Sequence, residues 1–234
     1  MSESTRHFTA SVVLIGQFNP PIFSPAWMNR VGLVPDEALD DAQVAIIHRD
    51  IAQFAVGGFS FDIRRGRFSI EVDSEPLVQA LDASLAIFGE HVPHIPVSEF
   101  GINYTEHFEL DEPARRVALG RRLAPIEPWG EYGAELDALV DDRTSGVVDL
   151  VMRLTYDPPE SGGLRVEIEP SELIEPLDVG VVMLVNDHRR ITDTKEADGA
   201  RPALTLLSEI FDESLSRSRK IVSDMHDFAK GLKL

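Results

Sequence analysis

Histidines and carboxylates are the side chains of this sequence that could do chemistry, and their spacing limits what that chemistry would be. His91 and His94 stand as H-x-x-H around Pro93, with Glu90 and Glu99 nearby, and Glu106-His107 follows on a later segment. Two imidazoles at that spacing could hold a divalent metal if they shared a helical face. The proline between them disfavours helical backbone at the residue before it, so the rings need not converge. His188 follows Asn186-Asp187, where the carboxylate could orient the ring, although the tripeptide also suits an Asx turn at a strand end. Glu167 and Glu169 lie two apart on a strand and so share a face, as would Asp62 with Ser60 or Arg64. Such a pair performs acid–base work only when burial separates the two pKa values. The sequence has no G-x-S-x-G, Walker loop, G-x-G-x-x-G or H-E-x-x-H. No catalytic residue, metal ligand or cofactor is assigned, and hydrolase-type chemistry through His94, His107 or a buried glutamate stands as the alternative to a binding role.

The elements that must position these residues follow from hydrophobic periodicity. FAVGGFSFDIRRGRFSIEV alternates as two strands around Arg64-Arg65-Gly66-Arg67, EPLVQALDASLAIFGE has the period of an amphipathic helix, and HIPVSEFGINYTEHFEL returns as a strand. Ser11 to Gln17 forms a short strand upstream. A second alternating block contains VVDLVMRLTYD and LRVEIEPSEL as a hairpin through Pro158 to Gly163, followed by VGVVMLVNDHRRI. The first and third of these strands are so apolar that both are expected to be buried on both faces or to take a central position. Gly57-Gly58 reads as a strand bulge and Gly162-Gly163 as a hairpin turn, because neither pair precedes the helix that a phosphate cradle needs.

These segments predict an α+β protein of two antiparallel β-sheet units with covering helices and a long C-terminal helix. Residues 1–112 make the N-terminal unit, 113–142 a helical connector interrupted by Pro125, Pro128, Gly130 and Gly133, and 143–234 the C-terminal unit. The boundary is placed near residue 112, with one continuous sheet across both halves as the alternative. The terminal helix, from Pro202 to Lys230, carries Leu204, Leu207, Phe211, Leu215, Val222 and Met225 at three- and four-residue steps. At 1.5 Å per residue it reaches roughly 40 Å, and its length suggests a homo-oligomer formed partly through this helix. Its serines, Ser208, Ser214, Ser216, Ser218 and Ser223, are expected on the other faces.

Composition restricts the function further. The 234 residues are 43% apolar, enough to fill a core, and with no cysteine the chain has no disulfide, thiolate metal site or cysteine nucleophile. A formal charge of −18 repels nucleic acid and anionic lipid. The N-terminal apolar run is too short for a signal peptide and nothing approaches a membrane span, so a cytoplasmic protein is expected. Two features suit a protein partner. FNPPIFSPAWM sets Phe18, Phe23 and Trp27 on a proline-stiffened path that either plugs an edge of the first unit or forms an aromatic anchor. Arg115, Arg116, Arg121 and Arg122 lie on one probable helix and could receive an acidic surface.

The order of FSFDIRRGRFSIEV, a helix, VSEFGINYTEHFEL, LVMRLTYD, LRVEIEPSEL and a terminal helix resembles an uncharacterised, sporadically distributed bacterial family of two-part α+β proteins. Gly101 and Tyr104 match its Gly-x-x-Tyr strand. FNPPIFSPAW with the paired strands, helix and HIPVSEFGINY that follow is similar to the first half of SecB-type export chaperones, which implies oligomers that hold unfolded clients. A protein-binding adaptor, scaffold or chaperone-like protein is the expected function.

Overall fold

The computed structural model describes residues 7–138, 146–156, 161–192 and 198–233. Its strands are β1 (His7–Gly16), β2 (Gln43–His48), β3 (Ile51–Val56), β4 (Phe59–Arg64), β5 (Arg67–Val72), β6 (Val97–Glu109), β7 (Leu150–Tyr156), β8 (Ser161–Pro170) and β9 (Gly180–Arg190). All pairings are antiparallel, in the order β2-β3-β4-β5-β1-β6-β9-β8-β7. The expected two antiparallel units thus lie edge to edge in one nine-stranded sheet, joined where β6 pairs with β9 over eleven residues from Glu99↔Arg190 to Glu109↔Gly180.

Alternation puts the core on one face. Ala10, Val12 and Leu14 of β1 pair with Val72, Ile70 and Phe68 of β5 and with Tyr104, Ile102 and Phe100 of β6, and all nine are buried. The helices α1 (Pro25–Arg30), α2 (Gln79–Ala86), α3 (Pro113–Leu123) and α5 (Arg201–Lys230) bury their apolar side chains in the same cluster. A further short helix, α4 (Gly130–Ala138), follows α3. The opposite face is polar, with Glu71, Ser11, Asn103, Asn186 and Arg165 in one cross-strand row. Asn103 donates to Ser11 Oγ at 3.0 Å and accepts from Asn186.

Helix α5 lies along β6 and β9. Its stripe of Leu204, Leu207, Phe211, Leu215 and Val222 is buried against the chain's own sheet, and each such side chain stabilises the fold by about 1.5–3 kcal/mol relative to exposure. Ser214 and Ser218 were expected on the outer faces but are buried too; Ser218 Oγ satisfies itself locally by donating to Ser214 O at 2.8 Å.

Three local expectations are corrected. Gly57-Gly58 is the two-residue turn of the β3–β4 hairpin, with φ of +60° and +84°, and not a bulge. Gly162-Gly163 lies within β8, where Gly163 faces His188 on one side and Thr155 on the other; the segment joining β7 to β8 lies outside the described residues. Among the described strands β7 is an edge with β8 as its one neighbour, whereas β9 occupies the expected interior position. An apolar run alone cannot distinguish the two, since both present large side chains at successive residues.

Candidate partner-binding edge

Strand β7 runs LVMRLTY and pairs with β8 in unbroken register from Leu150↔Ile168 to Tyr156↔Gly162. Its other edge is open to addition of a strand, because no described strand pairs with it. The helices on the core face leave it uncovered as well: Met152 is 68% exposed and Leu154 50%. Val151 on the polar face and Val148 just before the strand are exposed too. Long apolar edges template pairing with other chains, so folded proteins usually blunt them with bulges, proline or charge. Strand β2, the opposite edge, follows that rule with a register shift between Val44 and Ile46. Strand β7 has neither bulge nor proline, and its one charge is Arg153.

Charge is distributed unevenly along this edge. Asp149, just before β7, lies with Glu167 and Glu169 so that one oxygen of each falls within 4.8 Å of the others. The Arg165 hydrogen bond holds the Glu167 carboxyl below its ordinary value despite burial. Glu169 is pushed up by its hydrogen bond with Glu167, then by burial and by the charges of Glu167 and Asp149. These three are the single group of this kind among the described residues, and neither His91 nor His94 belongs to it.

The proline-aromatic segment occupies the core. Ser24 accepts the Trp27 backbone N–H at 3.2 Å and Pro25 begins α1, so the segment is helical where an irregular path was expected. Phe23 is fully buried with its ring 5.5 Å from Phe68, and buried Phe18 packs edge-on to Phe88 at 5.6 Å. Of the three expected anchor residues only Trp27 retains exposed surface, and it lies between Phe23 and His91.

The arginines of α3 do not form one receiving face. Arg115 donates to the carbonyls of Lys230 at 2.6 Å and Leu232 at 3.0 Å, closing the C-terminus of α5. Arg116 donates to Leu177 O at 3.1 Å, and Arg121 pairs with Asp137 at 2.8 Å. Arg122 alone of the four is exposed.

The histidines are dispersed. His91 lines a cleft with Asp82 and Glu90, and His94 lines a second cleft with Asp198, Arg201 and Glu209, but among the described residues neither ring hydrogen-bonds a carboxylate. His107 meets Ser171 Oγ at 2.8 Å on the polar face, where burial and then the nearby His7 hold it below its ordinary pKa. His188 meets Glu99 at 2.7 Å, with Arg190 sharing the carboxylate at 3.2 Å. A general base needs an orienting partner beside a reacting group, and these rings offer no such set in one cleft.

The β7 edge carried a signal in the sequence. An unpaired cation is costly in a strand buried on both faces, so Arg153 amid Leu150, Val151, Met152 and Leu154 marks an edge.

These features define an α+β protein with helices on one face of an antiparallel sheet and an apolar edge strand whose outer side pairs with no described strand. No family model matches the sequence, and no curated protein matches it. No described helix is long and apolar enough to cross a membrane.

Proposed function

We propose that this is a protein-binding protein, an adaptor, scaffold or chaperone-like component, and that it takes hold of polypeptide by adding a strand to β7. The observation that supports this reading is the exposed apolar edge at Val151, Met152 and Leu154, unbroken in register and without a bulge. Main-chain hydrogen bonds supply affinity in such additions, and alternate side chains supply selectivity. A small ligand would use neither. The acidic surface fits a role among proteins, since it disfavours phosphate backbones and anionic lipid.

A photo-crosslinking side chain at Met152, activated in cells that make the protein, should attach to polypeptide. The same group at Glu213, on an exposed face of α5, should not. Adducts at Glu213 or Trp27 in preference to Met152 would overturn the assignment of the edge.

A further inference from the structure

The geometry points to a second copy of this chain as the strand that β7 receives; this rests on the reading of β7 as a polypeptide-binding edge. Within one chain, Arg153 stands directly across from Arg165, and like charges at paired positions repel. Arg165 turns to Glu167, while Arg153 has no carboxylate partner among the described residues. Asp149 has the opposite imbalance, because its cluster of three carboxylates has one arginine, Arg165, bonded to one of its members. Asp149, the residue before β7, and Arg153 within it are four residues apart, about 13 Å along extended chain, and do not meet within one chain.

They meet in an antiparallel pair of two β7 strands centred on Val151. In that register Asp149 of each copy faces Arg153 of the other, so the ion pair forms twice. Val151 faces Val151, Leu150 faces Met152, and Val148 faces Leu154, which brings every exposed apolar side chain of the edge against another. Centring on Arg153 would set that arginine against itself, and centring on Met152 would move Asp149 opposite Thr155. The pairing partners share a face, so the two-fold axis stands perpendicular to the sheet and the helices of both copies lie on one side. Such an isologous pair joins two nine-stranded sheets into one. Strand β2 is unsuited to the same role because its register shifts between Val44 and Ile46.

A strand pair this short buries less than a standard interface, so association is expected at micromolar concentrations. Light scattering on the purified chain, from roughly 5 to 300 µM to bracket that range, should show a shift from 25.9 kDa toward twice that mass. Asp149→Arg and Arg153→Asp should each raise the dissociation constant at least about tenfold, through two lost ion pairs and new repulsion. The double variant, with the charges exchanged, should regain the dimer, a result that a misfolded single variant could not produce.

The absence of native cysteine permits a second readout. Val151→Cys should form an interchain disulfide under mild oxidation, whereas Ile47→Cys on β2 should not. A monomer at every concentration, a dimer indifferent to the charge exchange, or cross-linking at Ile47 but not Val151 would overturn the inference. If the purified chain stays monomeric while the Met152 photo-crosslinker captures a different protein, the second copy is rejected and the β7 reading stands. Failure of both experiments rejects both.

Discussion

The imidazole of His188 meets the carboxylate of Glu99 at 2.7 Å across the seam between β9 and β6, so the two sequence halves are fastened by side chains as well as by main-chain pairing. Burial alone would raise Glu99, but the hydrogen bonds from His188 and Arg190 outweigh it and hold the carboxyl below its ordinary value. A carboxyl depressed in the folded state contributes stability that is complete above its unfolded pKa, near 4.3, and disappears as pH falls through the lower folded value. Glu99→Gln should therefore destabilise the protein by about 1 kcal/mol at neutral pH, a modest figure because the pair is partly solvated. Urea unfolding at stepwise lower pH should show the gap between variant and wild type closing below pH ~4. A gap that widens instead would exclude this role for the pair.

Phe23→Ala should cost about 3–5 kcal/mol, because the ring is fully buried against Phe68, Phe88 and Trp27. Trp27→Ala should cost less, since its side chain is half-exposed. Equal and small losses in urea midpoints for the two variants would contradict the placement of Phe23 in the core.

Arg115 donates to three carbonyls at the C-terminal end of α5, those of Ala229 and Lys230 in its last turn and of Leu232 just past it. Arg115→Met keeps much of the apolar stem and removes the donors. It should lower stability by about 1–2 kcal/mol and speed amide exchange selectively near the end of α5. Uniform acceleration across β6 and β9 would show that the arginine acts on the whole fold rather than on the helix end.

Gly58 has φ +84° and open space where a side chain would project, so substitution there tests backbone conformation alone. Gly58→Asn should be nearly neutral and Gly58→Val should lose about 1–2 kcal/mol, because β-branched residues resist the left-handed region. Thermal melts of the pair would check this, and equal midpoints would argue against a tight turn at that site.

Much of the fold was legible because long segments kept one period. The terminal helix runs Arg201–Lys230 and the returning strand Val97–Glu109, both close to their expected limits. Turn chemistry was harder to read: Gly57-Gly58 with apolar residues on either side has the pattern of both a bulge and a tight turn, and the choice depends on β3 pairing with β4. The candidate site was missed for a related reason. Whether LVMRLTY is central or peripheral depends on strand order, and Arg153, the one hint of an edge in its local pattern, is outweighed there by the apolar run around it. Aromatic side chains near prolines suggested an anchor at Phe23, yet capping by Ser24 and Pro25 turned the segment inward. The α3 arginines shared a helix, but their bonds to carbonyls on α5 and to that of Leu177 depend on tertiary contacts.

The position of α5 has a consequence for synthesis. Strand β6, with Tyr104 beside Arg219 and Phe108 beside His226, acquires cover from a helix that begins at Arg201, and it obtains its second neighbour only when β9 has been made. At translation rates of 5–20 residues per second, the ribosome takes roughly 5–20 s to travel from the end of β6 to the start of that helix. Until β9 has been made the nascent chain displays an apolar strand flanked on one side only, and the face that α5 covers stays bare to the end of the interval. Its burden on the folding machinery is therefore set by the order in which the ribosome delivers the elements, and a pause before α5 would lengthen the period in which aggregation competes with folding.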